Sequence, residues 1–225
     1  MRELVEQALS STVRGYDLLA PKFDLTPFRT PDAVVERSLA DLGKVGSAVD
    51  LCCGTGAGLA GLAPITTSRL VGVDFSEGML EVARKRLILT PIVPELIQSD
   101  VFAYESKEAF DLVTCFGALG HIPEAEEPRF LALVRTLLRD GGRFVFVTTR
   151  TAQVLSKRYV VGRAFNGVMR VRNLLKSPPF IMYYLTFELP KIERLLKFHG
   201  FEVEITDELF EPPYNELVRV IATRR

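Results

Sequence analysis

The chain has 225 residues, 48% of them hydrophobic, and its 28 basic and 28 acidic residues cancel to a formal charge of zero. That length fits one large domain, and the apolar share is far from the polar, strongly charged profile of disorder. The balanced charge indicates no polyanionic partner, and no apolar run approaches the roughly 20 residues needed to span a bilayer.

In chain order, residues 3 to 19 carry Leu4, Val5, Ala8 and Leu9 at helical spacing. A second helix is expected after Pro31, with Val34, Val35, Leu39 and Leu42 on one face. Apolar strands then alternate with amphipathic helices. Strands are expected at Ser47–Cys52, Arg69–Val73, Glu95–Gln98, Phe110–Cys115 and Arg143–Thr148, and helices near 57–63, 77–88, 126–138 and 188–198. This β-α-β rhythm predicts a parallel sheet covered by helices on both faces. Phe201–Leu209 and Glu216–Thr223 read as two strands joined by a turn at Glu211-Pro212-Pro213-Tyr214-Asn215, and so must run antiparallel. The expected fold is α/β: a Rossmann-like, doubly wound, mostly parallel seven-stranded sheet with an antiparallel last strand. Residues 1–225 form a single domain in this reading, with an N-terminal helical cap over 1–45 and a lid-like basic insertion at about 150–187.

The N-terminal segment MRELVEQALS lacks the apolar core of a signal peptide. Cys52, Cys53 and Cys115 have no metal-type spacing and read as buried reduced thiols, so no metal site and a cytoplasmic location are expected.

The strongest local signal is the run Val49-Asp50-Leu51-Cys52-Cys53-Gly54-Thr55-Gly56-Ala57-Gly58, a strand entering a glycine cluster that opens a helix. Glycines there let backbone approach a ligand closely. Gly56-Ala57-Gly58-Leu59-Ala60-Gly61 also satisfies the dinucleotide pattern GxGxxG, with Asp74 at about the right distance, which favours nicotinamide binding on that motif alone. Against it, Asp50 sits where dinucleotide folds place an apolar residue, and the turn begins at Gly54, ahead of the match.

Asp50-Leu51-Cys52-Cys53-Gly54-Thr55-Gly56 resembles the first motif, acid-x-x-x-Gly-x-Gly, of the class I S-adenosylmethionine-dependent methyltransferases, and in particular of their ubiquinone/menaquinone-type branch. Gly72-Val73-Asp74-Phe75-Ser76-Glu77-Gly78-Met79-Leu80 is similar to the family's second-strand motif, and Gln98-Ser99-Asp100-Val101 to its third. Leu138-Arg139-Asp140-Gly141-Gly142-Arg143-Phe144 resembles the turn before the fifth strand, with Asp140 where proline is usual, and Ala20-Pro21-Lys22-Phe23-Asp24 resembles a segment of the N-terminal cap. The resemblance spans residues 15 to 150 and the last strand pair.

The resemblance implies S-adenosyl-L-methionine as cofactor and transfer of its methyl group to a small-molecule acceptor. Asp74 would accept from both ribose hydroxyls, and Phe75 and Met79 would flank the adenine. Asp100 would accept from the adenine amino group beside the Val101 backbone. Gly54 and Gly56 would lie under the methionine end, Asp50 would hold its ammonium, and Phe116 would offer backbone nearby. A ligand-facing Asp74 leaves no protein partner behind, so its removal is expected to change the stability of the free protein little. Read without the resemblance, Asp74 is an ordinary strand-end cap, Asp100 a turn residue, and Phe75 and Met79 core.

Methyl transfer from a sulfonium is an in-line displacement that depends mainly on alignment, so no catalytic side chain is required. A base matters only where the acceptor must lose a proton. His121, just past the fourth strand, would sit near the methyl, but reads more simply as a loop anchor. His199, at a helix end, reads as structural. From Gly141 to Phe187 there is no acidic residue, whereas Arg143, Arg150, Lys157, Arg158, Arg163, Arg170, Arg172 and Lys176 are basic. Ala164, Val168, Val171 and Leu175 recur at helical spacing within this stretch. It reads as a solvated lid helix, or as a surface for an anionic or amphipathic acceptor with weak anionic-surface contact through 150–176. Nucleic acid is disfavoured, because no RNA module accompanies the charge. RNA or protein methylation, an NAD(P)-dependent reductase and a silent cofactor-binding subunit are the alternatives.

Overall fold

The computed structural model describes residues 12–26, 28–151, 156–175, 177 and 186–225. Leu4, Val5, Ala8 and Leu9 of the expected first helix, and Lys176 of the basic stretch, lie outside them. Seven strands follow in chain order: β1 (Val45–Leu51), β2 (Thr66–Asp74), β3 (Glu95–Gln98), β4 (Phe110–Thr114), β5 (Leu138–Thr149), β6 (Phe201–Thr206) and β7 (Leu217–Arg224). They form one sheet in the order β3-β2-β1-β4-β5-β7-β6. β7 runs antiparallel to both neighbours, and the other pairs are parallel. The chain therefore starts in the middle of the sheet and reverses direction between β1 and β4. That reversal opens a crevice beyond the strands' carboxyl ends, where open α/β sheets bind ligands.

Alternate residues of each strand point to opposite faces, and both faces are apolar. Val49, Val71, Val113, Phe144 and Val220 join a core with Phe130, Leu131 and Val134 of α5 (Glu127–Leu137) and Ile192 and Leu196 of α7 (Lys191–Phe198). Ala48, Leu70, Leu112, Val145 and Ile221 turn the other way, against α2 (Asp32–Leu39), α3 (Ala57–Leu62) and α4 (Glu77–Leu87). A strand buried on both faces reads as an unbroken apolar run, which is why β1, β2 and β4 stand out in the sequence.

β5 begins earlier than Arg143. Phe110 pairs with Leu138, and the next partners are Leu112 and Arg143, so Arg139–Gly142 bulge out between two paired stretches. Gly141 holds φ +73, and a Cβ on Gly142 would meet the carbonyl oxygen of Arg139 at 2.8 Å, so the Gly-Gly pair makes this bulge feasible.

A third cluster sits above the crevice. Tyr16 and Ala20, from α1 (Thr12–Leu19) and the 3-10 turn Ala20–Leu25, pack with Met79 of α4 and Met169 of α6 (Lys157–Leu175), flanked by Phe23, Phe75, Val82 and Phe165. The helix expected in the basic stretch is present. Its inward residues are Phe165 and Met169, whereas Ala164, Val168, Val171 and Leu175 are exposed.

Candidate functional site

A cavity of about 530 Å³ opens at the carboxyl ends of β1, β2 and β4. Its floor is the turn after β1, where Cys52, Gly54 and Gly56 all adopt positive φ, at 56°, 52° and 84°. For Cys52, which has a side chain, this conformation costs about 1–3 kcal/mol and persists only because its surroundings impose it. The Cys53 N–H donates to the Val73 carbonyl at 2.9 Å, and the Gly56 N–H donates to the Cys53 carbonyl at 2.9 Å.

Two carboxylates stand across this turn. Asp50, only 2% exposed, accepts from the Thr114 hydroxyl of β4 at 2.6 Å. A Cβ on Gly58 would lie 2.3 Å from Asp50 Oδ2, so the missing side chain is what makes room for the acid. Burial pushes Asp50 up to about 7, against the Thr114 bond and with help from the charge of Asp74. Asp74, 6% exposed, accepts from the Gly54 N–H at 2.8 Å and the Ser76 N–H at 2.9 Å. Burial raises it to about 6, opposed by those backbone donors. The expectation that Asp74 serves only a ligand is thus corrected: it also ties β2 to the glycine turn.

Of the expected cofactor residues, Asp50, Gly54, Asp74, Phe75, Met79 and Phe116 line the cavity together. Gly56, Asp100 and Val101 are not in its lining. Gly56 instead lets α4 approach, since a Cβ there would meet Leu87 Cδ1 at 2.9 Å. Asp100 is exposed and accepts from the Phe102 N–H at 2.8 Å, while Val101 is buried beside it. Gly61 of the dinucleotide-like pattern serves packing as well: a Cβ there would lie 2.7 Å from Val35 Cγ1 of α2.

The N-terminal segment supplies further residues whose roles the sequence does not show. Asp17 accepts from the Ser76 hydroxyl at 2.6 Å and the Gly78 N–H at 3.1 Å, fixing α1 to the start of α4. Ser76 in turn caps that helix by accepting from the Met79 N–H. Asp24 accepts from the Thr55 hydroxyl at 2.6 Å and pairs with Arg86 and Arg29. Arg29 lines the cavity with its side chain 15% exposed, bringing a cation beside Asp24, which also holds Thr55. Tyr16 and His121 also line the cavity and are hydrogen-bonded to each other.

Cys52, Cys53 and Cys115 are free. Burial pushes the Cys53 thiol well above its ordinary value, and the Cys115 contact does the same for Cys52. Neither is poised as a thiolate. Among the described residues no helix is long and apolar enough to cross a membrane.

The geometry fits a ligand with a diol and a cationic end. The carboxylate of Asp74 has lone pairs left over from its two backbone bonds, and a positive group beside Asp50 would offset the burial that now favours its neutral form.

Residues 48–142 match a family model described as a methyltransferase domain. The chain is 29% identical over 140 residues to the ubiquinone biosynthesis O-methyltransferase of Vibrio atlanticus, covering 60% of this chain and 56% of that protein. It is 34% identical over 104 residues to the demethylmenaquinone methyltransferase of Symbiobacterium thermophilum, covering 43% of this chain and 40% of that protein. The chain thus spans about half the length of these relatives. Among solved structures, the DhpI complex with S-adenosylhomocysteine superposes with a TM-score of 0.68 at 19% identity, over 100% of this chain and 98% of that one. The N-methyltransferase NodS from Bradyrhizobium japonicum, in complex with S-adenosylhomocysteine, superposes with a TM-score of 0.67 at 16% identity, over 96% and 99%. At these identities the likeness is one of fold.

Proposed function

We propose that this chain, which belongs to the class I S-adenosylmethionine-dependent methyltransferases, transfers a methyl group from S-adenosylmethionine to a small-molecule acceptor of the quinol type. The observation that carries the reading is the pair of buried carboxylates, Asp50 and Asp74, facing one cavity across the glycine turn.

In this reading Asp74 receives the ribose hydroxyls and Asp50 the methionyl ammonium, with Gly54 beneath and the Phe116 backbone alongside. Phe75 and Met79 supply the apolar walls for adenine. Arg29 faces the methionyl carboxylate. Asp100 and Val101 belong to the adenine edge because they follow β3, the strand next to β2, and Gly56 serves through the shape of the turn. The bound sulfonium supplies an activated methyl group. The protein's part is to align the acceptor with it and to exclude water.

Relatives named for ubiquinone and menaquinone methylation support an aromatic, hydroxylated acceptor. The domain is read as one unit, with residues 1–45 as a cap and 150–187 as a lid. The outward face of α6 supports an amphipathic acceptor or an anionic surface that presents it. Val160, Val161, Val168, Val171, Leu174 and Leu175 are 50–86% exposed there, and α6 has basic but no acidic residues.

Incubation with methyl-labelled S-adenosylmethionine and reduced, demethylated benzoquinol or naphthoquinol tests the assignment. Labelled quinol is expected. Label in RNA or protein, with none in quinol, would overturn the small-molecule acceptor.

A further inference from the structure

Tyr16 and His121 reach the cavity from parts of the chain 105 residues apart, one on the cap helix α1 and the other in the 3-10 turn Leu119–His121 that follows β4. The Tyr16 hydroxyl lies 2.7 Å from His121 Nε2, and the two rings meet edge to face with centroids 5.2 Å apart at 87°. Tyr16 is 9% exposed and is held edge-on against Phe75 at 5.9 Å and tilted against Phe23 at 6.2 Å. His121 is set by its own N–H, which donates to the Ala118 carbonyl at 2.9 Å. Both residues line the same cavity as Asp50 and Asp74.

A simple loop anchor has no need to enter the cavity or to end on a buried phenol. A phenol between an imidazole and a substrate space is chemically specific, because a hydroxyl can accept one proton while releasing another. With the imidazole proton on Nδ1, the Tyr16 hydroxyl donates to Nε2, and a phenol oxygen that donates in this way can also accept a proton from a cavity group.

We propose that Tyr16 and His121 form a proton relay that activates a hydroxyl acceptor, an inference that rests on the methyltransferase reading of the site. As the acceptor oxygen bonds to the methyl carbon and the carbon–sulfur bond breaks, the acceptor proton passes to Tyr16 Oη and the Tyr16 proton passes to His121 Nε2. The products are a methyl ether, a neutral thioether and an imidazolium, which returns its proton to water. Tyr16 touches the acceptor, and His121 acts through Tyr16. The relay selects acceptors that must lose a proton and offers nothing to a tertiary amine or thioether.

The test uses 4-nitrocatechol, whose visible absorption reports whether its hydroxyl is ionised, with the full chain saturated by S-adenosylhomocysteine. The pH is chosen so that the free probe is mostly protonated. The parent is expected to bind the probe as the catecholate. Tyr16→Phe and His121→Gln are expected to bind S-adenosylhomocysteine within about twofold and the probe within about threefold, with the ratio of ionised to neutral bound probe reduced about tenfold or more. A bound probe that stays neutral in the parent, or equally ionised in the variants, would overturn the relay. So would a parent that binds S-adenosylhomocysteine but not the probe, or variants that lose probe binding altogether, which would make the pair structural. Failure of the parent to bind S-adenosylhomocysteine would instead overturn the methyltransferase reading itself.

Discussion

The carboxylate of Asp74 accepts the backbone N–H of Gly54 at 2.8 Å, so the acid proposed to hold the ribose also holds the glycine turn in place. Its other oxygen takes the Ser76 N–H at 2.9 Å. Asp74→Ala is therefore expected to lower cofactor affinity and the stability of the free protein together. Leaving buried donors without an acceptor costs about 1–3 kcal/mol each. Urea unfolding of the ligand-free variant should show a loss of about 2 kcal/mol, alongside weakened S-adenosylhomocysteine binding in calorimetry. An unchanged unfolding midpoint would mean that the turn does not depend on this acid.

A second expectation concerns pH. Burial raises Asp50 to about 7 and Asp74 to about 6, above the roughly 3.9 of an aspartate in an unfolded chain. The folded state thus binds these protons more tightly than the unfolded chain. Their contribution to stability is fully present below about pH 4 and is lost as pH rises toward 7. The stability of the parent relative to Asp50→Asn should fall over that window by on the order of 3 kcal/mol in unfolding experiments. Affinity for a ligand whose cation sits beside Asp50 should run the other way, strengthening as pH rises toward 7. A flat stability difference would show that Asp50 is not desolvated in solution.

Gly58 offers a steric test. A Cβ there would come within 2.3 Å of Asp50 Oδ2, and Asp50 is closed in by Thr114. Gly58→Ala should destabilise the protein by about 1–3 kcal/mol, the usual cost of overpacking, and should displace Asp50. S-adenosylhomocysteine binding should weaken at least tenfold. Binding at parental strength would mean that Asp50 can move without consequence and does not hold the ammonium.

The outward face of α6 makes a separate expectation. Arg163 and Arg170 are exposed beside its apolar stripe and take no part in the cavity lining. Replacing both with Gln should leave cofactor affinity within about twofold, under roughly 0.5 kcal/mol. Sedimentation with vesicles containing phosphatidylglycerol should fall, and the parent's own binding should weaken at high salt. A mixed RNA pool measured in parallel separates a lipid surface from nucleic acid. Vesicle binding unchanged by the substitutions would leave α6 as a solvated helix.

How much of this was legible in the sequence follows from where each residue's partners lie. The edge strand β3 is bounded as expected at Glu95–Gln98, and the inner strands β1, β2 and β4 shift by at most a few residues, because a strand buried on both faces writes its own apolar run. β5 starts earlier than its apolar run suggests, since the Asp140-Gly141-Gly142 segment reads as a loop but is bulged out within a paired strand. The insertion of β7 between β5 and β6 has no local signature. Asp50 and Asp74 were visible because each borders the glycine turn or its neighbouring loop. Tyr16, Asp17 and Asp24 carry no local signal of their roles, because the Tyr16–His121, Asp17–Ser76, Asp24–Thr55 and Asp24–Arg86 contacts span 31 to 105 residues. Arg29 pairs locally with Asp24 and Asp32, and no spacing in the sequence shows that it lines the cavity. The sequence marks His121 only as a histidine just past β4; the Tyr16 contact shows which group it meets.

Comparative calorimetry tests the central claim most directly. The free protein should bind S-adenosylhomocysteine at micromolar strength, and NAD and NADP at least about a hundredfold more weakly, a gap of roughly 2.7 kcal/mol. The reason is structural: of the glycines in the GxGxxG match, Gly56 and Gly61 are occupied with α4 and α2, and Gly58 makes room for Asp50. NAD or NADP binding as tightly as S-adenosylhomocysteine would contradict the assignment and return the glycine turn to the dinucleotide-binding proteins.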